Sequence, residues 1–95
     1  MGTRMKTLAE RLRWARGKTG LSQRGLAKLA KLKSERHICQ LETGERLNPE
    51  LKTLTAIADT LGLRVGWLAS GEGDAPEETE IRAAVVAREA AKGAA

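Results

Sequence analysis

Arg36 and Gln40 stand four residues apart in a stretch, residues 34–43, that reads as a short helix. At about 100° per residue, Ile38, Leu41 and Glu42 share one face, and Arg36, Gln40 and Thr43 share the opposite one. The apolar face must pack inward, which turns Arg36 and Gln40 outward. Both side chains suit base edges: arginine pairs bidentately with guanine and glutamine with adenine. Ser34 and Glu35 occupy the N-terminal tip of the segment. The Glu35 carboxylate can accept from cytosine N4, or serve only as a partner for the positive end of the helix dipole. A solvated helix face is the plainer reading of the whole pattern.

Other chemistry finds little support. His37 and Cys39 are the one histidine and the one cysteine, two positions apart on this helix, so their side chains diverge. A base-and-nucleophile pair is therefore missing. A Cys/His zinc site or disulfide framework within one chain is equally unavailable. No glycine-rich loop precedes a Lys-Ser/Thr pair, and no paired carboxylates suggest a cleft. The expectation is a non-enzyme with no metal and no cofactor. Trp14 and Trp67 are the only aromatics, too few for a platform that stacks single-stranded bases. They read as core plugs or dimer-surface residues.

Charge points to an anionic partner. Residues 1–36 hold eleven Lys or Arg and two acids, and residues 37–95 hold six Lys or Arg and ten acids. A strongly basic front half is the footprint of a polyanion-binding surface. Lys18, Arg24, Lys28, Lys31 and Lys33 are candidate phosphate contacts. Gln23 joins them because it opens a helix, where free N–H groups favour a phosphate. The basic residues Arg4, Lys6, Arg11 and Arg13 read as a solvated face of the first helix. No apolar run nears the roughly 20 residues of a membrane span, and no signal-peptide core opens the chain. A cytoplasmic location without membrane attachment is expected.

The elements that must hold these residues are all helical. Leu (13) and Ala (15) dominate the apolar set while Ile and Val total six, a composition that favours helix over strand. The first helix spans Thr3 or Lys6 to Arg16, closed by Gly17 and Gly20. The second spans Ser22 to Ala30 with Ser22 as N-cap, and Gly25 inside it costs about 1 kcal/mol relative to alanine. Lys31-Leu32-Lys33 connects to the third, Ser34 to Thr43, capped by Ser34 and stopped by Gly44. Asn48 as N-cap and Pro49 at the first position start the fourth, whose inward stripe is Leu51, Leu54, Ile57, Ala58 and Leu61. A fifth covers Val65 to Ala69. Residues 74–91 form either a sixth helix, with Ile81, Ala84 and Val85 on one side, or a frayed tail. The division is a domain over 1–71 and a linker with helix or tail over 72–95.

The second and third segments make a helix-turn-helix. Leu21-Ser22-Gln23, Leu26-Ala27, Leu29-Ala30, Ile38, Leu41-Glu42, Gly44, Asn48-Pro49, Leu54, Leu61-Gly62-Leu63 and Trp67-Leu68 resemble the phage Cro/repressor-type helix-turn-helix domain, the lambda-repressor-like or XRE family. The resemblance covers roughly residues 6–71. It implies an all-α, five-helix bundle whose third helix enters the DNA major groove, with double-stranded DNA bound by a homodimer at a palindromic operator. It implies base contacts from Ser34, Glu35, Arg36 and Gln40. Phosphate contacts fall to Gln23, Arg24, Lys28, Lys31, Lys33, Thr43, Arg46 and Asn48, of which Arg46 and Asn48 match the loop that the family uses on the backbone or minor groove. Arg16 and Glu42 match a structural ion pair. Leu47, Trp67 and Leu68 match a common dimer site, with residues 77–91 as the other candidate. The chain departs from the pattern at Lys31, where the family carries glycine, at the extra residue before Ser34, and at Gly25. The implied role is a transcriptional regulator, a repressor in most relatives. The alternatives are an antitoxin-type or accessory protein that grips a protein partner through its C-terminal segment, or a restriction–modification controller protein.

Overall fold

Leucine and alanine recur at helical spacing along the chain, and Gly20, Gly44, Gly62 and Gly71 fall where helices end. The computed structural model describes residues 5–46 and 48–93, which form six α-helices and no strand. They are α1 (Leu8–Thr19), α2 (Gln23–Leu29), α3 (Arg36–Thr43), α4 (Leu51–Leu61), α5 (Val65–Ser70) and α6 (Glu78–Gly93). Helix α1 packs on α3, α5 and α6, while α4 packs on α2, α5 and α6. Leu12, Leu26, Ile38, Leu41, Ile57, Leu61, Leu68 and Ile81 are fully buried where these helices meet.

Helix ends depart from the sequence reading, each for a local reason. Helix α1 starts after Thr7, whose hydroxyl accepts from the Glu10 N–H, and it runs through Gly17 to Thr19. The left-handed turn falls at Gly20 (φ 75°), so Gly17 does not end the helix. Helix α3 starts at Arg36 rather than Ser34. Glu35 precedes it without a side-chain cap, and the Ser34 hydroxyl accepts from the Arg36 N–H at 3.1 Å. Ser34 thus closes a turn just ahead of the helix.

The connection between α2 and α3 explains that delay. Lys31 takes φ 59°, its N–H donates to Lys28 O, and the Leu32 N–H donates to Ala27 O. This is a Schellman C-cap, a motif that prefers glycine at the left-handed position. A lysine has taken the glycine's conformation here. Leu32 follows by packing against the core.

Helix α4 begins at Leu51, two residues after Pro49, with Glu50 extended ahead of it and offering no side-chain cap. The first backbone bond runs from the Leu54 N–H to Glu50 O. Proline's fixed φ suits an extended lead-in as well as a first helical position. Leu54, Ile57, Ala58 and Leu61 are buried as expected, but Leu51 is 71% exposed and leaves the inward stripe. It stands at the open first turn of the helix.

The C-terminal segment is helical and docked. Ile81 and Val85 are buried against the bundle. A Cβ at Gly62 would lie 2.7 Å from the Ala84 Cβ, so α6 crosses the end of α4 at a distance only glycine allows. Trp67 is 4% exposed and Leu68 is fully buried. Trp67 is thus the core plug of its two readings, and neither residue can supply the dimer surface the resemblance implies, because α5 turns both into the core. Leu47, the third residue of that expected surface, lies outside the described residues. Trp67 meets the half-buried Trp14 edge-on, ring centroids 5.8 Å apart.

Candidate nucleic-acid interface

The outward face of α3 is built from what its inward face buries. Ile38 and Leu41 are in the core, and Glu42 is buried beside them. On the other side Arg36 and Thr43 are exposed, while Gln40 is half-buried. Ser34 and Glu35 are exposed at the leading tip. Arg36, Gln40 and Thr43 therefore fall on one side of α3, with Ser34 and Glu35 exposed in the turn just ahead of it.

Glu42 fixes that surface to the rest of the molecule. Arg16 Nε lies 2.6 Å from Oε2 and Nη2 lies 2.8 Å from Oε1, a bidentate pair between α1 and α3. Arg16 Nη1 also donates to Leu21 O, just ahead of α2. The hydrogen bond to Glu42 raises the Arg16 pKa above the ordinary arginine value, against the opposing effect of burial. Gln23 Nε2 donates to Glu42 Oε1 at 3.2 Å. One carboxylate thus gathers the end of α1, the start of α2 and the last turn of α3.

The cations fall into separate groups. Gln23, Thr43 and Arg46 line a cleft of about 740 Å³ that runs from the end of α3 toward the start of α1. Lys31, Lys33 and Arg46 line a second cleft, of about 450 Å³, with His37 and Lys52. Arg46 is common to both, its N–H held by Gln40 O at 3.1 Å. Arg24 and Lys28 are exposed on α2 but line neither cleft, and Asn48 is exposed in the loop before α4. Lys52 was not anticipated. It belongs with this group only because the α4 turn meets the α2–α3 connection, which no spacing in the sequence announces.

Arg11 departs from the expected solvated face. The sequence places it on a solvated face, yet it is 4% exposed. Its guanidinium donates to Leu68 O at 2.8 Å, Ala69 O at 3.0 Å and Met5 O at 3.2 Å. Burial lowers its pKa, with Glu10 acting in the opposite direction. The cation is held by the free carbonyls at the end of α5, the negative end of a helix. Arg4, read with it, lies outside the described residues.

A helix-turn-helix domain family matches residues 7–70, about two thirds of the chain. The chain belongs to the helix-turn-helix domain family. No curated protein matches it, and no solved structure does. The match agrees with the Cro/repressor-type resemblance and ends with α5, so α6 lies beyond the shared helix-turn-helix portion while packing on it. Membership in this family points to DNA binding and a regulatory role. No helix among the described residues is long and apolar enough to cross a membrane.

Proposed function

We propose that this helix-turn-helix protein is a sequence-specific, double-stranded-DNA-binding transcriptional repressor that works as a homodimer in the bacterial cytoplasm. The observation that carries the reading is the two-sidedness of α3, with Arg36, Gln40 and Thr43 outward and Ile38, Leu41 and Glu42 locked inward. Residues 34–43 act as the recognition segment in the major groove. Arg36 and Gln40 read base edges, while Ser34 and Glu35 work at the leading tip. Gln23 has two amide N–H groups and Glu42 occupies one, which leaves the other for a phosphate. Arg24, Lys28, Lys31, Lys33, Thr43, Arg46 and Asn48 anchor the backbone.

Two copies related by a two-fold axis place their recognition segments in successive major grooves, about 34 Å apart, and occupancy excludes polymerase. The dimer contact is assigned to residues 77–91, because Trp67 and Leu68 are buried and Val86 on α6 is 65% exposed. The accessory-protein reading needs a C-terminal segment that folds only on a partner. It draws less support, since α6 buries Ile81 and Val85 in the chain's own core.

Selection of bound sites from random duplex DNA tests the function. Enrichment of a two-fold symmetric site is expected. Recovery of no sequence above non-specific binding would overturn the reading.

A further inference from the structure

The larger cleft continues past every residue so far given a DNA role. It is lined by Gln23, Thr43 and Arg46, and also by Lys6, just ahead of α1, and Arg13, midway along it. Lys6 and Arg13 are both exposed, and neither has an ion-pair partner among the described residues. The negative groups along the cleft are mostly engaged. Glu42 is held by Arg16 and Gln23, and the carbonyls that end α5 are held by Arg11. Glu10 is the one acid left, and it accepts from the Thr7 hydroxyl. Among the described residues, three cations without an ion-pair partner, Lys6, Arg13 and Arg46, thus face one acid along a trough open to solvent.

We propose that this trough is a track for the DNA backbone, in which Lys6 and Arg13 each hold a phosphate beyond the recognition segment. The inference rests on the DNA-binding reading and extends it. A trough with free charges of mostly one sign concentrates the potential along its floor. A phosphodiester chain is the polyanion that presents charges in a line, and the same cleft already holds three of the proposed backbone contacts, Gln23, Thr43 and Arg46. The assignment also gives these two basic residues a role other than solubility. A phosphate contact carries no sequence information, so Lys6 and Arg13 add affinity and footprint but no base preference.

The test uses the full chain and a 30-base-pair duplex carrying the selected site, with affinity measured between 50 and 200 mM salt. Each neutralised phosphate contributes about 0.9 to the slope of log affinity against log salt. Lys6→Gln with Arg13→Gln should therefore lower the slope by about two per protomer. The loss of affinity across that salt range should shrink by about tenfold per protomer. The preferred sequence should not change, and thermal melting should match the native chain because both side chains are exposed. Arg64→Gln, outside both clefts, serves as the control and should leave the slope intact. A native slope in the double variant would overturn this inference and leave the DNA reading standing. If the native chain fails to bind any duplex, the DNA reading falls and this inference falls with it.

Discussion

Arg16 and Glu42, 26 positions apart in the chain, meet in a bidentate pair at 2.6 and 2.8 Å. The Glu42 side chain is 3% exposed and that of Arg16 is 22% exposed, so the pair is sheltered on the carboxylate side. Its geometry matters more than its energy. A buried pair roughly repays its own desolvation, but either partner alone is costly. The pair orients α3 by its last turn, the one beside Gln40 and Thr43.

Removing Glu42 should therefore unfold the domain more readily than removing both partners. Glu42→Ala is expected to destabilise by about 3 kcal/mol, because Arg16 and the Gln23 amide lose their acceptor together. Arg16→Met combined with Glu42→Leu should cost clearly less. Urea denaturation of the three proteins measures both. Equal midpoints for the single and double variants would show that the pair is solvated rather than buried.

Gly62 is needed twice over. It takes φ 68°, and an added Cβ would lie 2.7 Å from the Ala84 Cβ. Gly62→Ala should cost about 3 kcal/mol, the sum of left-handed strain and overpacking. Ala84→Gly in the same chain should recover the overpacking share of about 1–2 kcal/mol. A double-mutant cycle by thermal melting reads this coupling. No coupling would mean that α6 is not seated on the end of α4.

The order and core of the bundle were legible because Leu12, Leu26, Ile38, Leu41, Leu54, Ile57 and Leu61 fall at helical spacing, which needs no knowledge of partners. The ends of helices were less legible. Where α3 starts depends on Lys31 adopting a left-handed backbone, and a lysine carries no signal for that. The exposure of Leu51, the choice of Trp67 between core and dimer surface, and the burial of Arg11 all depend on which element arrives opposite. Arg11 is the plainest case: its partners are backbone carbonyls of Leu68 and Ala69, and carbonyls have no signature in a sequence. The face of α3 was readable since the buried and outward residues sit on the same short helix. The clefts were not, being made of pieces from three or four segments.

Lys31 offers a substitution that should separate stability from binding. A lysine at φ 59° carries left-handed strain of about 1–2 kcal/mol, partly offset by the freedom a glycine would lose on folding. Lys31→Gly should raise stability by about 0.5–1 kcal/mol. If Lys31 holds a phosphate, the same change should weaken binding to all duplexes and reduce the salt slope by about one per protomer. Calorimetric melting and a salt titration give the two readouts. A less stable glycine variant would show that the lysine's aliphatic stem packs usefully on the connection.

Helix α6 lies outside the matched helix-turn-helix span, yet it should be required for the fold. Ile81 is fully buried. Ile81→Ala is expected to cost about 3 kcal/mol, in the usual range for emptying a core site. The Arg82 Nε, which donates to Lys18 O at the end of α1, gives a second and weaker link. Arg82→Ala should cost under about 1 kcal/mol because the contact is exposed. If Ile81→Ala melts with the native protein, α6 is detached in solution and the accessory-protein reading gains ground.

Reading and anchoring should separate in a pair of variants on adjacent helices. Arg36 is exposed on α3 opposite Ile38, and Lys28 is exposed on α2. An arginine bidentate to guanine loses its whole recognition energy at one base pair when truncated. Arg36→Ala should therefore cost about 1–3 kcal/mol at the preferred site and relax the choice at one position in each half-site. Lys28→Ala should instead weaken every duplex by a similar factor and lower the salt slope by about one per protomer, with the sequence preference intact. Both comparisons need the same two measurements, a salt titration and a panel of single-base-pair changes in the selected site. The contrast matters because a lysine and an arginine on a basic surface would both weaken binding if charge alone were at work. Matching profiles for the two variants would mean that Arg36 is another backbone anchor, and the sequence reader would then have to be sought at Gln40 or at the tip formed by Ser34 and Glu35.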